Sequence, residues 1–340
     1  MEIIISFIQR AILQGTPLLF GATGEILTEK SGNLNLGIPG IMYIGAISGV
    51  VGGFFYQNSA ARVQPVPAIL IPLLCCLAGS LLTSLLYCFL TVTLKANQNV
   101  TGLAITTFGV GVGNFFGGSL IKIVKSDVPY LALVKIAKAY KTTLPFASGM
   151  GPIGQLFFSY GFLVYLAVIL AVAVSLFLSR SRAGLYLRAV GENPAAVATL
   201  GINVYRLRMR AVLLGGVFAG MGGAVMCLSS ANVFVNDMTA GSGFMAFAAN
   251  QFGQWSPVGG YLATLLFGVM QALRMRLQSF GIATQLTQML PYLAALIGIK
   301  LTGMRMRAPA ANGTPYPHPR SAPCLRRKSA GESQSKGSKT

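Results

Sequence analysis

The side chains that could do chemistry in this chain are few, and most of them are neutral. Glu25 and Glu29 stand one helical turn apart, with Lys30 beside them, where the first apolar stretch ends. Glu25 either lines a path through the membrane or, as is commoner for such a residue, pairs with Lys30 or caps the boundary turn. The remaining polar groups in or beside apolar stretches are amides and hydroxyls: Asn33, Asn35, Asn99, Thr101, Asn114, Asn232, Asn250 and Gln251. Such groups match the hydrogen bonds of a neutral polar solute without the cost of burying a charge. Asn33 and Asn35 have a second use. Gly37, Pro39 and Gly40 interrupt the second apolar stretch, and the nearby amides can satisfy the backbone groups this frees. No HExxH, no paired Cys/His set and no GxSxG occurs, and the absence of any Gly-Lys dipeptide rules out the P-loop phosphate cradle. If ATP drives this protein, another chain binds it.

One polar element is written in full. Within the Arg-rich segment Ser179–Arg210 lies RAVGENPAAVATLGINVYRLR, Arg188–Arg208. Asn193 can cap a helix, Pro194 suits its first turn, Ala195–Leu200 favours helix and Gly201 can end it. The spacing predicts a short helix with both stops encoded, either a connector or a place where another protein could push.

The elements that must hold these residues are membrane spans. Hydrophobic residues make up 54% of the chain and charged ones 10%, against about 25% charged in soluble domains; mean hydropathy is +0.65. The apolar stretches are Ile5–Leu27, Gly37–Tyr56, Ala68–Leu94, Val100–Val124, Phe158–Leu178, Ala211–Ser230, Phe244–Phe252, Val258–Leu273 and Leu286–Thr302. Most approach the ~20 residues that cross a bilayer. Phe244–Phe252 is too short, and reads as a half-helix near 244–257 ending in the Pro/Gly turn GQWSPVGG. The expected fold is an all-α polytopic transmembrane bundle of eight to ten spans, residues 1–303, with a polar loop at 179–210. Met1-Glu2 lacks a basic leader and a cleavage site, so the first stretch is expected to be retained as a span.

The net charge of +19 suggests nucleic acid at first sight, but the cations crowd into loops and a tail beside apolar spans, and no basic face with aromatics is visible. Nucleic-acid binding is therefore not expected. Arginine places both 179–210 and the tail on the cytoplasmic side, with four apolar stretches between them. The lysines of Lys125–Gly154 then fall on the outside, against the same rule. Residues 304–340, rich in Pro, Ser, Lys and Gly, are expected to be a disordered cytoplasmic basic tail; the sole histidine, His318, sits there. Cys75, Cys76, Cys88, Cys227 and Cys324 have neither metal nor disulfide spacing. Glycines at four-residue spacing (Gly45, Gly49 and Gly53; Gly109, Gly113 and Gly117; Gly216 and Gly220) suit close helix packing, or faces that slide during transport.

Six segments carry a resemblance over nearly the whole chain except the tail. They are EKSGNLNLGIPGIMYIGA (29–46), NVTGLAITTFGVG (99–111), LRAVGENPAAVATLGINVYRLR (187–208), GGVFAGMGGAV (215–225), GSGFMAFAANQFGQWSPVGG (241–260) and MLPYLAALIGI (289–299). The chain resembles permease subunits of bacterial ABC importers for simple sugars, nucleosides and branched-chain amino acids, and TAGSGFMAFAANQFGQWSP is most similar to the nucleoside-type branch. It departs from that branch at Gln98-Asn99-Val100 and Asn250–Gln254, residues that bear on the solute. The resemblance implies a multi-pass protein of the cytoplasmic (inner) membrane, a second homologous permease, an extracytoplasmic solute-binding lipoprotein and a separate ATPase chain that binds ATP and Mg. It makes Gly191, Glu192, Asn193, Pro194, Ala195, Ala196 and Gly201 the ATPase-coupling element. The translocation-path candidates are then Asn33, Asn35, Asn99, Thr101, Asn114, Asn250 and Gln251, serving a nucleoside, alternatively a simple sugar. An ion-coupled carrier is disfavoured by the scarcity of acids inside spans.

Overall fold

The computed structural model describes residues 2–59, 63–123, 130–141, 151–239, 241–281, 283–302 and 308–316. Among them are thirteen α-helices: α1 (Glu2–Lys30), α2 (Ile38–Ser59), α3 (Pro65–Cys88), α4 (Gln98–Ile123), α5 (Val134–Tyr140), α6 (Gly151–Phe158), α7 (Phe162–Arg180), α8 (Arg182–Glu192), α9 (Pro194–Thr199), α10 (Val204–Ala224), α11 (Ser242–Phe252), α12 (Pro257–Ser279) and α13 (Thr284–Thr302). The one small sheet among the described residues pairs Leu131–Ala132 with Val233–Phe234, antiparallel. π-helical turns at Phe89–Thr93 and Val225–Ala231 extend α3 and α10.

Among the described residues, seven helices are long and apolar enough to cross a membrane: α1 to α4, α7, α10 and α12, with α3 and α10 counted together with their π turns. The 19-residue α13 lies beside α12 and α11. The protein is a polytopic helical membrane protein, as its hydropathy indicates. The innermost helices are α2 and α10, with 78% and 72% of their apolar windows buried. The others turn Leu, Ile and Phe outward, among them Leu82, Phe108, Phe115, Ile169 and Leu262; in hydrocarbon these outward faces need no cover.

Small residues set how closely the helices approach. Gly45 meets Gly220, Gly40 meets Gly109, and Gly24 meets Gly215, backbone against backbone. Gly113 lies on the Tyr43 ring, Gly117 on Phe234, Gly216 on Ser84 and Gly49 on Cys76. Each of the glycine faces read from the sequence is thus a helix-packing seam.

The chain's direction follows from these contacts. Thr93 and Tyr205 share a hydrogen bond of 2.6 Å, so α3 ends where α10 begins, on the face carrying α8 and α9. At the other end of α3, the Tyr140 hydroxyl donates to the Ile69 carbonyl at 2.7 Å, so the lysine-bearing α5 sits on the opposite face. α11 spans about 16 Å, half the hydrocarbon thickness. It starts against Pro39, passes Gly21, and ends near Glu29, so it runs from mid-depth to the α8–α9 face. Before it the chain passes through Val233–Phe234 and turns at 236–239, where the Asp237 N–H donates to Tyr43 Oη at 2.7 Å and to Asn114 Oδ1 at 3.1 Å.

Candidate coupling loop and polar interior

Between α7 and α10 the chain makes three starts, each with a side-chain cap. Ser181 Oγ accepts from the Gly184 N–H at 2.9 Å, Asn193 Oδ1 from Ala196 at 3.1 Å, and Asn203 Oδ1 from Arg206 at 3.0 Å. Each satisfies an amide that a helix start leaves open. Pro194 occupies the first position of α9, and Gly201, at φ +78°, ends it in the left-handed conformation that glycine adopts without strain. The helix read from sequence forms over Pro194–Thr199, with Leu200 as the residue closing it.

This loop has an inner and an outer side. Val190, Val197 and Val204 are buried together, with Ile202 and Tyr316 against them. Gly191 is buried against the Lys30 carbonyl at the end of α1, which leaves no room for a Cβ. Glu192, Asn193, Ala195, Ala196, Thr199 and Gly201 are exposed, Pro194 is half-buried, and Leu200 is 74% exposed at the tip. An apolar tip between a carboxylate and short side chains, on a backbone pinned from behind, offers a rigid convex surface.

Below the loop lies a buried polar layer. The turn joining α1 to α2 has its backbone accounted for nearly group by group. The Leu34 N–H donates to Gln98 Oε1 at 2.7 Å, Asn35 to Glu25 Oε1 at 3.3 Å and Gly37 to Asn35 Oδ1 at 2.9 Å. The Tyr87 hydroxyl donates to the Leu34 carbonyl, and Thr106 Oγ1 to that of Leu36 at 2.8 Å. Asn33 reaches Thr91 Oγ1 at 3.5 Å. Asn35 therefore serves the broken start of the second span and Glu25 caps the turn, while Asn33 Oδ1, Asn35 Nδ2 and Glu25 Oε2 are buried without a hydrogen-bond partner. Glu29 accepts from the indole N–H of Trp255, tying the end of α1 to the turn after α11.

The other polar candidates do not gather at one point. Asn99 is exposed in the first turn of α4 and Thr101 is buried beside it. Asn114 accepts from Tyr43 at 2.5 Å, nearer the opposite face, and Asn232, at φ +58°, closes the π turn after α10. Asn250 is fully buried in α11, and neither its amide nitrogen nor its oxygen has a hydrogen-bond partner. Gln251 beside it is half-buried. Cys324 and His318 lie outside the described residues, as do residues 304–307 and 317–340 of the expected tail. Within that tail, Ala308–Tyr316 forms a turn packed on the loop, a departure from the featureless chain its composition suggests.

The family model for the permease component of branched-chain amino acid transport systems matches residues 7–299. The chain belongs to that permease family. The guanosine ABC transporter permease protein NupQ of Bacillus subtilis is 33% identical over 327 residues, 93% of this chain and 98% of its own. The nucleoside ABC transporter permease protein NupC of Lactococcus lactis is 34% identical over 310 residues, 90% of this chain and 94% of its own. A putative glucose ABC transporter permease of Haloferax volcanii is 31% identical, covering 83% of this chain and 81% of its own. No solved structure matches. The permease is a transport component and not an enzyme.

Sequence reasoning missed three polar contacts of the permease: Trp255 with Glu29, Arg208 with the α1–α2 turn, and Asp237 with Tyr43 and Asn114. Trp255 and Glu29 are 226 residues apart, and no spacing rule joins them. The one local signal is the charge itself, since an arginine or glutamate inside an apolar helix needs a partner.

Proposed function

We propose that this permease forms, with a second homologous permease, the membrane path of an ABC importer for nucleosides. The observation that carries this reading is the similarity to two permeases named for guanosine and nucleosides, which covers 93% and 90% of this chain. The interior suits such a cargo. Asn250 and Gln251 offer amide donors and acceptors of the kind that match a neutral, hydrogen-bonding solute, and the unpartnered Asn250 amide is the first contact to test.

In this reading 179–210 faces the cytoplasm of a bacterial inner membrane, and the exposed side of α9 with Gly191, Glu192 and Gly201 docks in the ATPase. ATP and Mg belong to that partner, and an extracytoplasmic lipoprotein delivers solute to the face carrying α5. Relatives occur in twos: Bacillus subtilis has the guanosine permeases NupQ and NupP, and Lactococcus lactis the nucleoside permeases NupC and NupB. This supports a heteromeric pair. The second reading, a simple sugar, rests on the glucose-named relative.

Uptake of labelled guanosine, adenosine, ribose and glucose by cells with and without the gene decides between them. Nucleoside uptake that persists in the deletion strain while ribose or glucose uptake falls would overturn the nucleoside assignment. The double variant Glu192→Ala with Asn193→Ala should insert normally and lose its ATPase on co-purification. Intact co-purification and uptake would sink the docking assignment.

A further inference from the structure

The segment after α13 does something its composition hides. Ala308–Tyr316 turns back onto the α8–α9 loop: Pro309 and Ala311 are buried, the Ala311 N–H donates to the Gly191 carbonyl at 2.8 Å, and Ala310 N–H reaches Glu192 Oε2 at 3.4 Å. Tyr316 packs on the Val190–Val197–Val204 cluster beneath α9. The turn is stabilised from within by the Thr314 N–H and hydroxyl, both donating to the Ala311 carbonyl, and by Gly313 at φ +77°.

Arg208 joins this turn to the bundle. It is 3% exposed, one turn into α10, and its guanidinium bridges two separate chain segments. Nε donates to the Ser31 carbonyl at 3.1 Å, at the end of α1, and one terminal nitrogen donates to the Thr314 carbonyl at 2.9 Å. The Asn312 side chain lies near Glu29, which also holds Trp255. A planar, five-donor guanidinium suits such a bridge, and a lysine ammonium cannot reproduce its fixed fork. The α8–α9 loop, the end of α1, the turn after α11 and the 308–316 segment therefore meet at one buried junction.

We propose that Ala308–Tyr316 is a strap, clasped by Arg208 as a positioning residue, that makes the α8–α9 loop and the inner ends of α1 and α11 move as one body. The strap packs beneath α9 and touches the docking surface only at Gly191 and Glu192, so the exposed Ala195, Ala196 and Thr199 stay free. Without it the loop keeps its caps and its surface but transmits displacement only through α8 and α10. The proposal rests on the α8–α9 loop being the ATPase-docking surface.

The test uses the whole transporter with its ATPase and solute-binding protein in liposomes, comparing chains that stop before Pro317 with chains that stop before Ala308, alongside Arg208→Lys and Tyr316→Ser. Three quantities are read: ATPase co-purification, ATP hydrolysis, and solute taken up per ATP. Stopping before Pro317 should leave all three unchanged. Stopping before Ala308 should keep the ATPase bound and hydrolysing while uptake per ATP falls about fivefold or more, the low end of ordinary coupling between sites. Tyr316→Ser, which spares every strap hydrogen bond, and Arg208→Lys should show intermediate losses of the same kind. Uptake per ATP that is unchanged in the Ala308 truncation, or in both point variants if that truncation does not assemble, overturns the strap. If Glu192→Ala with Asn193→Ala also leaves ATPase binding and uptake intact, the docking reading fails; if that pair uncouples while the strap variants do not, only the strap fails.

Discussion

Replacing Gly109 by alanine tests whether glycine seams set the helix spacing. A Cβ on Gly109 would lie 2.5 Å from the Cα, 2.6 Å from the carbonyl oxygen and 2.8 Å from the carbonyl carbon of Gly40, where 3.4–4 Å is ordinary contact. All three are backbone atoms of α2, so no rotamer change relieves the overlap; α2 and α4 must part by about 1 Å, a gap that forfeits a quarter to a half of each dispersion contact along the seam. Overpacking of this kind costs about 1–3 kcal/mol, and with backbone on both sides we expect about 2 kcal/mol. Gly111, two residues along the same helix, is the internal control, since nothing lies within 4 Å of its Cβ position. Gly111→Ala should be neutral or stabilise by about 0.5–1 kcal/mol through helix propensity. Thermal melts of the purified permease in detergent should place Gly109→Ala about 4–8 °C below wild type, from the shift of about 2–4 °C per kcal/mol seen in domains of 150–250 residues. Gly111→Ala should melt at or above wild type. Equal midpoints for the two variants, or a larger fall for Gly111→Ala, would refute the argument.

Other outcomes follow from single contacts. Trp255→Phe keeps the ring and strips the indole donor from the fully buried Glu29, so the melting midpoint should fall by an amount equivalent to about 1–3 kcal/mol; an unchanged midpoint means the bond contributes nothing. Asn193→Ala should cost α9 about 1 kcal/mol and weaken ATPase co-purification, whereas Asn193→Asp, which can still cap, should retain it. Asn250→Leu removes two unpartnered buried polar atoms, so it should melt no lower than wild type while solute uptake collapses. Lower stability with normal uptake would make Asn250 a packing residue.

What the sequence determined is what neighbours within a few residues decide. Span lengths follow from apolar runs matched to bilayer thickness, and the helices at 38–59, 98–123 and 162–180 begin and end within a few residues of those runs. The α9 helix follows from Asn193, Pro194 and Gly201, because a cap acts on amides two or three residues away. Glycine spacing likewise marks a seam, since residues four apart share a helix face.

Tertiary structure decided the rest. Asn33 and Asn35 read from the sequence first as partners for a broken helix and second as solute contacts; only the arrival of Gln98, Tyr87, Thr91 and Thr106 from other helices shows which groups of the turn find partners. Ala308–Tyr316 has no apolar period, so nothing local announces that it folds, and its order comes from Arg208 and the Val190–Val197–Val204 cluster more than 100 residues earlier. A hydrogen bond in a dry interior has no preferred sequence separation, and its worth depends on whether water or a distant chain segment is the alternative partner.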